Sequence, residues 1–94
     1  MDIAQSDIVK AIAGRDQEKL FFVLEIEGEY LLLADGKTRR VESPKRKKRK
    51  HVTFAGRYDC RVADKIRTKD KITNSELRRA LAAFAGVGNP DQEG

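Results

Sequence analysis

The chain has a single cysteine, Cys60, so no internal disulfide can form and a reducing compartment fits. With no second cysteine and no paired histidine motif, metal binding or nucleophilic catalysis at Cys60 is not expected. Aromatic residues make up only 6% of the sequence. Tyr30, Phe54 and Tyr58 are therefore read first as packing residues and only second as stacking platforms for bases. The longest apolar runs, "LFFVL" and "YLLLA", are too short to span a bilayer. The start, "MDIAQSDIVK", lacks the basic end and long apolar stretch of a signal peptide, and a cytoplasmic protein is expected. There is no Gly-rich phosphate loop, no paired catalytic carboxylate motif and no Ser/His/Asp signature. Enzyme activity is not expected, and neither is a cofactor.

Positive charge is abundant, and it is concentrated. Twenty Lys and Arg stand against fifteen Asp and Glu in 94 residues. Six of the cations are consecutive: Lys45, Arg46, Lys47, Lys48, Arg49 and Lys50. Without them the rest of the chain has fourteen cations and fifteen anions. The excess belongs to one segment, and a localised basic stripe attracts polyanions. If four to six of these side chains met phosphates, the log–log salt slope of binding would be roughly −3 to −5. Such contacts position a nucleic acid without reading its bases. A solvated loop that only aids solubility, a nuclear-import signal and an anionic-membrane contact are the competing readings of the run.

The pattern before Phe54 favours strands. "DIVKAIAG" stops at Gly14. "LFFVLEIEG" alternates, with Leu20, Phe22, Leu24 and Ile26 on one side and Phe21, Val23, Glu25 and Glu27 on the other. A turn at Gly28 and the apolar "YLLLAD" complete a hairpin. "DGKT" is a second turn. "RRVES" reads as a short fourth strand closed by Pro44, and "KHVTFAG" as a fifth. The basic run is placed on a loop or on extended strand ends between them. Five short strands joined by tight turns predict a small barrel or strongly bent sheet. Helical spacing follows, first at Val62, Ala63 and Ile66. It is clearest in "TNSELRRALAAFAG", where Thr73 and Glu76 form a capping box and Leu77, Ala80, Leu81 and Phe84 a stripe. Gly86 is the expected stop. Arg78 and Arg79 lie off the stripe. The expected division is a barrel over 1–56, a helical extension over 57–86 and a loose tail over 87–94.

Other basic residues can extend the cationic surface. Arg15 and Lys19 flank the polar turn after Gly14. Lys37, Arg39 and Arg40 shortly precede the run. His51 can touch phosphate or stack, though a lone histidine beside a strand is most often an ordinary surface residue.

The order "AGRD", "LLLADGKTRRVESPK", "KRKKRKHV" and "KITNSELRRAL" resembles the KOW-domain RNA-binding proteins. The resemblance is to the small bacterial kind related to an archaeal and eukaryotic large-subunit ribosomal protein. It covers about Ile8 to Phe84. One departure is "QEK" after "GRD", where the family usually has a glycine. The resemblance implies an SH3-like barrel followed by helices, with RNA, and ribosomal RNA in particular, as partner. It also implies association with the large ribosomal subunit, with no membrane and no small-molecule substrate involved. Carried onto this chain, the RNA-facing parts are Gly14, Arg15 and Asp16, then Lys37, Arg39, Arg40, Lys45, Arg46, Lys47, Lys48, Arg49, Lys50 and His51. Asp16 would hold its turn, since a carboxylate repels phosphate. The main rival is a protein-interaction module, in which the Leu77–Phe84 helix docks a partner and the basic loop meets an acidic surface. Non-specific DNA binding is a third reading.

Overall fold

The computed structural model describes residues 3–15 and 17–87. Five strands come first: β1 (Ile8–Ala11), β2 (Leu20–Glu27), β3 (Tyr30–Ala34), β4 (Lys45–Lys48) and β5 (Val52–Gly56). Helices α1 (Arg61–Arg67) and α2 (Asn74–Val87) follow. The strands form one antiparallel sheet in the order β4-β3-β2-β1-β5. A three-residue 3-10 turn, Arg49–His51, joins the two edge strands. At about 2 Å per residue this link reaches roughly 8 Å. In a flat five-stranded sheet the edges would lie roughly 19 Å apart. The sheet therefore has to curl, which gives the small, mainly β, barrel-like architecture with C-terminal helices that the spacing of strands and turns predicts.

Curling gives the sheet an inside and an outside, and each has its own core. Val9, Ala11, Phe21, Val23, Leu31, Leu33 and Val52 fill the inside. Ile8, Phe22 and Ala34 face outward and are covered by Val62 and Ile66 of α1 and by Leu77, Ala80 and Leu81 of α2. Because both faces are buried, β2 is apolar on both sides along its first half. A register shift between Val23 and Glu25 then changes the alternation. Ile26 pairs with Leu31 and shares its face, instead of staying with Leu20, Phe22 and Leu24 as strict alternation predicts. Glu27 pairs with Tyr30 on the other face.

The capping box at α2 is present. Thr73 Oγ1 accepts the Glu76 N–H at 3.1 Å, and Glu76 Oε1 accepts the Thr73 N–H at 2.9 Å. The helix does not stop at Gly86 but runs to Val87. Its apolar stripe is spent on the sheet: Leu77 is fully buried, and Ala80 and Leu81 nearly so. The docking helix of the rival reading is thus part of the protein's own core. That core spans the division drawn at residue 56, since sheet and helix residues share one cluster. The expected tail lies outside the described residues from 88 onward, as does Asp16.

"RRVES" is not a strand. Asp35 turns the chain, its Oδ1 accepting the backbone N–H groups of Lys37 (2.9 Å) and Arg39 (2.8 Å). The following loop is fastened to the start of α2. Val41 N–H donates to Asn74 Oδ1 at 2.7 Å, and Arg78 donates to the Gly36 carbonyl at 2.7 Å. Gly36 has φ +79°, and a Cβ there would overlap the Asn74 carbonyl oxygen, so the close approach needs glycine. The fourth strand is the basic run itself, Lys45–Lys48, so of the two placements expected for the run, loop or extended strand, its first four residues take the extended one.

Candidate nucleic-acid interface

Lysine and arginine have no special strand propensity, so pairing makes β4. It hydrogen-bonds to β3 in the register Tyr30↔Lys48, Leu31↔Lys47, Leu32↔Arg46 and Leu33↔Lys45. Its other side pairs with no strand, so it is a sheet edge carrying charge, as protected edges commonly do. The register also divides the run between two faces. Lys45 and Lys47 stand on the inner face with Leu33 and Leu31, while Arg46 and Lys48 stand on the outer face.

The consequences differ sharply among neighbours. Lys47 is only 9% exposed, and its Nζ donates to the Ala13 carbonyl at 2.9 Å. It plugs the barrel mouth and is a fold residue, not a surface cation. Arg46 lies 3.8 Å above the Tyr30 ring centroid and pairs with Glu27 at 3.3 Å. Lys48 Nζ lies 5.9 Å from the same ring. Lys45, Lys48 and Lys50 have no carboxylate in ion-pair range among the described residues. The backbone of Arg49 is held by a 2.8 Å bond from its N–H to the Glu29 carbonyl. Gly28, Glu29, Lys48, Arg49 and Lys50 line an open hollow of about 420 Å³.

The loop after β1 meets the run. Ile12 N–H donates to the His51 carbonyl at 3.0 Å, and Lys47 reaches Ala13. Gly14 (φ +84°) lies beside the Lys47 ammonium, and Arg15 is exposed next to it. Gly14, Arg15 and the half-buried His51 thus gather with the basic segment. Lys19 and Lys37 do not join them directly. They line a groove along α2 with Leu20, Arg78 and Leu81. Arg40 pairs with Glu42 at 3.3 Å, and Arg39 sits in the Asp35 turn through its backbone. Asn74 donates to Glu42 and holds its carboxyl below the usual glutamate value, helped by Arg40.

The other aromatics have partners of their own. Phe54 lies under Arg57 at 5.5 Å, and Tyr58 packs against Phe84 at 5.9 Å. Arg57 makes a two-point ion pair with the buried Asp7, with Nε–Oδ1 at 2.8 Å, and the carboxylate pushes the guanidinium pKa up. Sequence reasoning missed this pair, because fifty residues separate its members and neither stands in a motif. It also missed the Glu27–Arg46–Tyr30 stack, whose signal is the hairpin register combined with a strand assignment for the run.

Among the described residues no group of three His, Cys, Asp or Glu is placed to hold a metal ion, and no helix is long and apolar enough to cross a membrane. No family model matches the chain, and no curated protein matches its sequence.

Proposed function

We propose that this protein is a non-catalytic, cytoplasmic RNA-binding protein. In this reading it grips the phosphate backbone of a structured RNA with the cations of β4, the 3-10 turn and the neighbouring β1–β2 loop. The resemblance to ribosomal KOW-type proteins makes ribosomal RNA in the large subunit or its precursors the first target to try. One observation carries the reading: a ribbon of cations at a sheet edge in which Lys45, Lys48 and Lys50 lack any internal carboxylate partner among the described residues. Several cations elsewhere are matched, as in Lys10–Glu18, Lys65–Glu76 and Lys69–Glu25. The ribbon is narrower than six residues, because Lys47 is buried and Arg46 is held by Glu27.

The test is sedimentation of cell lysate through a sucrose gradient. The protein should migrate with large ribosomal subunits at low salt and leave them at high salt, where counterion release no longer favours binding. A protein that stays at the top of the gradient at every salt concentration would end the ribosomal assignment. Pull-downs with and without nuclease then separate RNA from protein partners. Partners that persist unchanged after nuclease treatment would overturn the RNA reading.

A further inference from the structure

The geometry points to a subsite for one unstacked nucleotide of the bound RNA, its base lying on the Arg46 guanidinium and its phosphate between Lys48 and Lys50. The inference rests on the RNA reading above and adds to it a preference for unpaired nucleotides over continuous duplex.

Arg46 is the least free cation on the outer face of β4, yet it is more than half exposed. Tyr30 lies beneath it at 3.8 Å, which is stacking distance, and Glu27 holds Nε at 3.3 Å. These two contacts fix the planar group on one side and leave the other side toward solvent. A guanidinium held in this way has lost rotamer freedom before any ligand arrives, and its open face is a platform on which a base can stack. A lysine offers no such plane. Phosphate contacts alone would use Arg46 poorly, since Glu27 already neutralises much of its charge.

The hollow beside the stack supplies the second half of the subsite. Lys48 belongs to both: its Nζ is 5.9 Å from the Tyr30 ring, and it lines the hollow with Lys50. Approach over the β2–β3 turn is open, because a Cβ at Gly28 would meet nothing within 4 Å. Arg49 and Glu29 also line the hollow, so its cations outnumber its one carboxylate, which suits a phosphate. A continuous duplex presents phosphates but keeps its base faces stacked inside. It can satisfy the lysines and not the arginine plane.

The test uses two RNA hairpins of the same stem sequence, one fully paired and one carrying a single bulged 2-aminopurine. Binding of each to the full chain is measured by titration at matched salt. The bulged hairpin should bind roughly ten-fold tighter, the range expected for one stacked base, and its fluorescence should rise on binding as the base leaves its RNA neighbours for the guanidinium. Arg46→Lys keeps the charge and removes the plane, so the ratio of the two affinities should fall to about one. Tyr30→Leu should shrink the ratio as well. Equal binding of the two hairpins by the native protein, or a ratio unchanged in Arg46→Lys, would overturn the subsite while leaving RNA binding intact. Failure to bind either hairpin at moderate salt would remove the RNA reading and the subsite with it. Equal displacement of both hairpins by poly-glutamate with no change in 2-aminopurine fluorescence on RNA binding would assign the surface to acidic peptide and overturn the proposal.

Discussion

The helix-covered side of the sheet and its basic edge handle charge in opposite ways. Under and around the helices, four cations are matched to carboxylates: Lys65 to Glu76, Lys69 to Glu25, Arg67 to Asp64 and Arg57 to Asp7. At the edge, three lysines of one short segment have no such partner among the described residues. On the first side, Lys65–Glu76 joins α1 to α2, and Lys69–Glu25 ties the link between the helices to β2. Unpaired like charge on the second side repels itself, and in the function proposed above RNA is its partner. The contrast predicts that damage to the two sides will separate cleanly into lost stability and lost binding.

The largest effect is expected on the helical side. Leu77 is fully buried between α2 and the sheet, so Leu77→Ala should destabilise the fold by about 3 kcal/mol. Urea denaturation measures this. The molecules that remain folded should keep the salt slope of RNA binding, because Leu77 lies under the helix and not at the edge. A change in slope would mean that the two sides are coupled.

The complementary variant is Lys45→Gln with Lys48→Gln and Lys50→Gln. It should leave the urea midpoint nearly unchanged and reduce RNA affinity roughly hundred-fold at moderate salt. The log–log salt slope should become shallower by about 2 to 3, one increment for each lost phosphate contact. Native affinity in this variant would show that the ribbon is only a solvated, aggregation-resistant edge.

A sharper version of the comparison lies inside the run. Lys47 and Lys50 are the same residue type three positions apart, yet Lys47 is buried against the Ala13 carbonyl and Lys50 is exposed. Lys47→Met keeps the aliphatic stem and removes the donor. It should cost about 1 kcal/mol of stability, since the Ala13 carbonyl loses its partner. Lys50→Met should cost almost no stability and should weaken RNA binding more. The reverse order would contradict the assignment of Lys47 to the fold.

This pair also shows what sequence can and cannot carry. The β2–β3 hairpin and α2 were legible, because apolar alternation, the Gly28 turn and the Thr73–Glu76 box are local signals. The fate of Lys47 was not legible. Six adjacent cations look alike until a register assigns each to a face, and β3 sets that register across the ten residues between Ala34 and Lys45. "RRVES" failed for a related reason. Its residues suit a strand, but the Asp35 side chain and Asn74 take the N–H groups a ladder would have used. Charge segregation was visible from composition, whereas the division of the run into plug, stack and free lysines needed the fold.

The smallest expected effect tests the matched side through pH. Lys65 donates to Glu76 at 2.7 Å, and with the Thr73 N–H it holds the Glu76 carboxyl below its ordinary value of 4.5. The unfolded chain, with the ordinary value, takes up a proton at a higher pH than the folded one. The contribution is therefore complete above the ordinary value and fades as pH falls through the lowered one. Glu76→Gln preserves the capping-box acceptor and removes the titration. Its stability should lie slightly below the native protein at neutral pH, and the two should converge in acid. Glu42, also lowered, supplies a residual acid slope common to both proteins. Urea midpoints measured from neutral pH down to about pH 3 decide the matter. Curves that stay parallel over that whole interval would mean that the Lys65–Glu76 pair contributes no pH-dependent stability, and that charge matching on the helical side reflects solubility more than fastening.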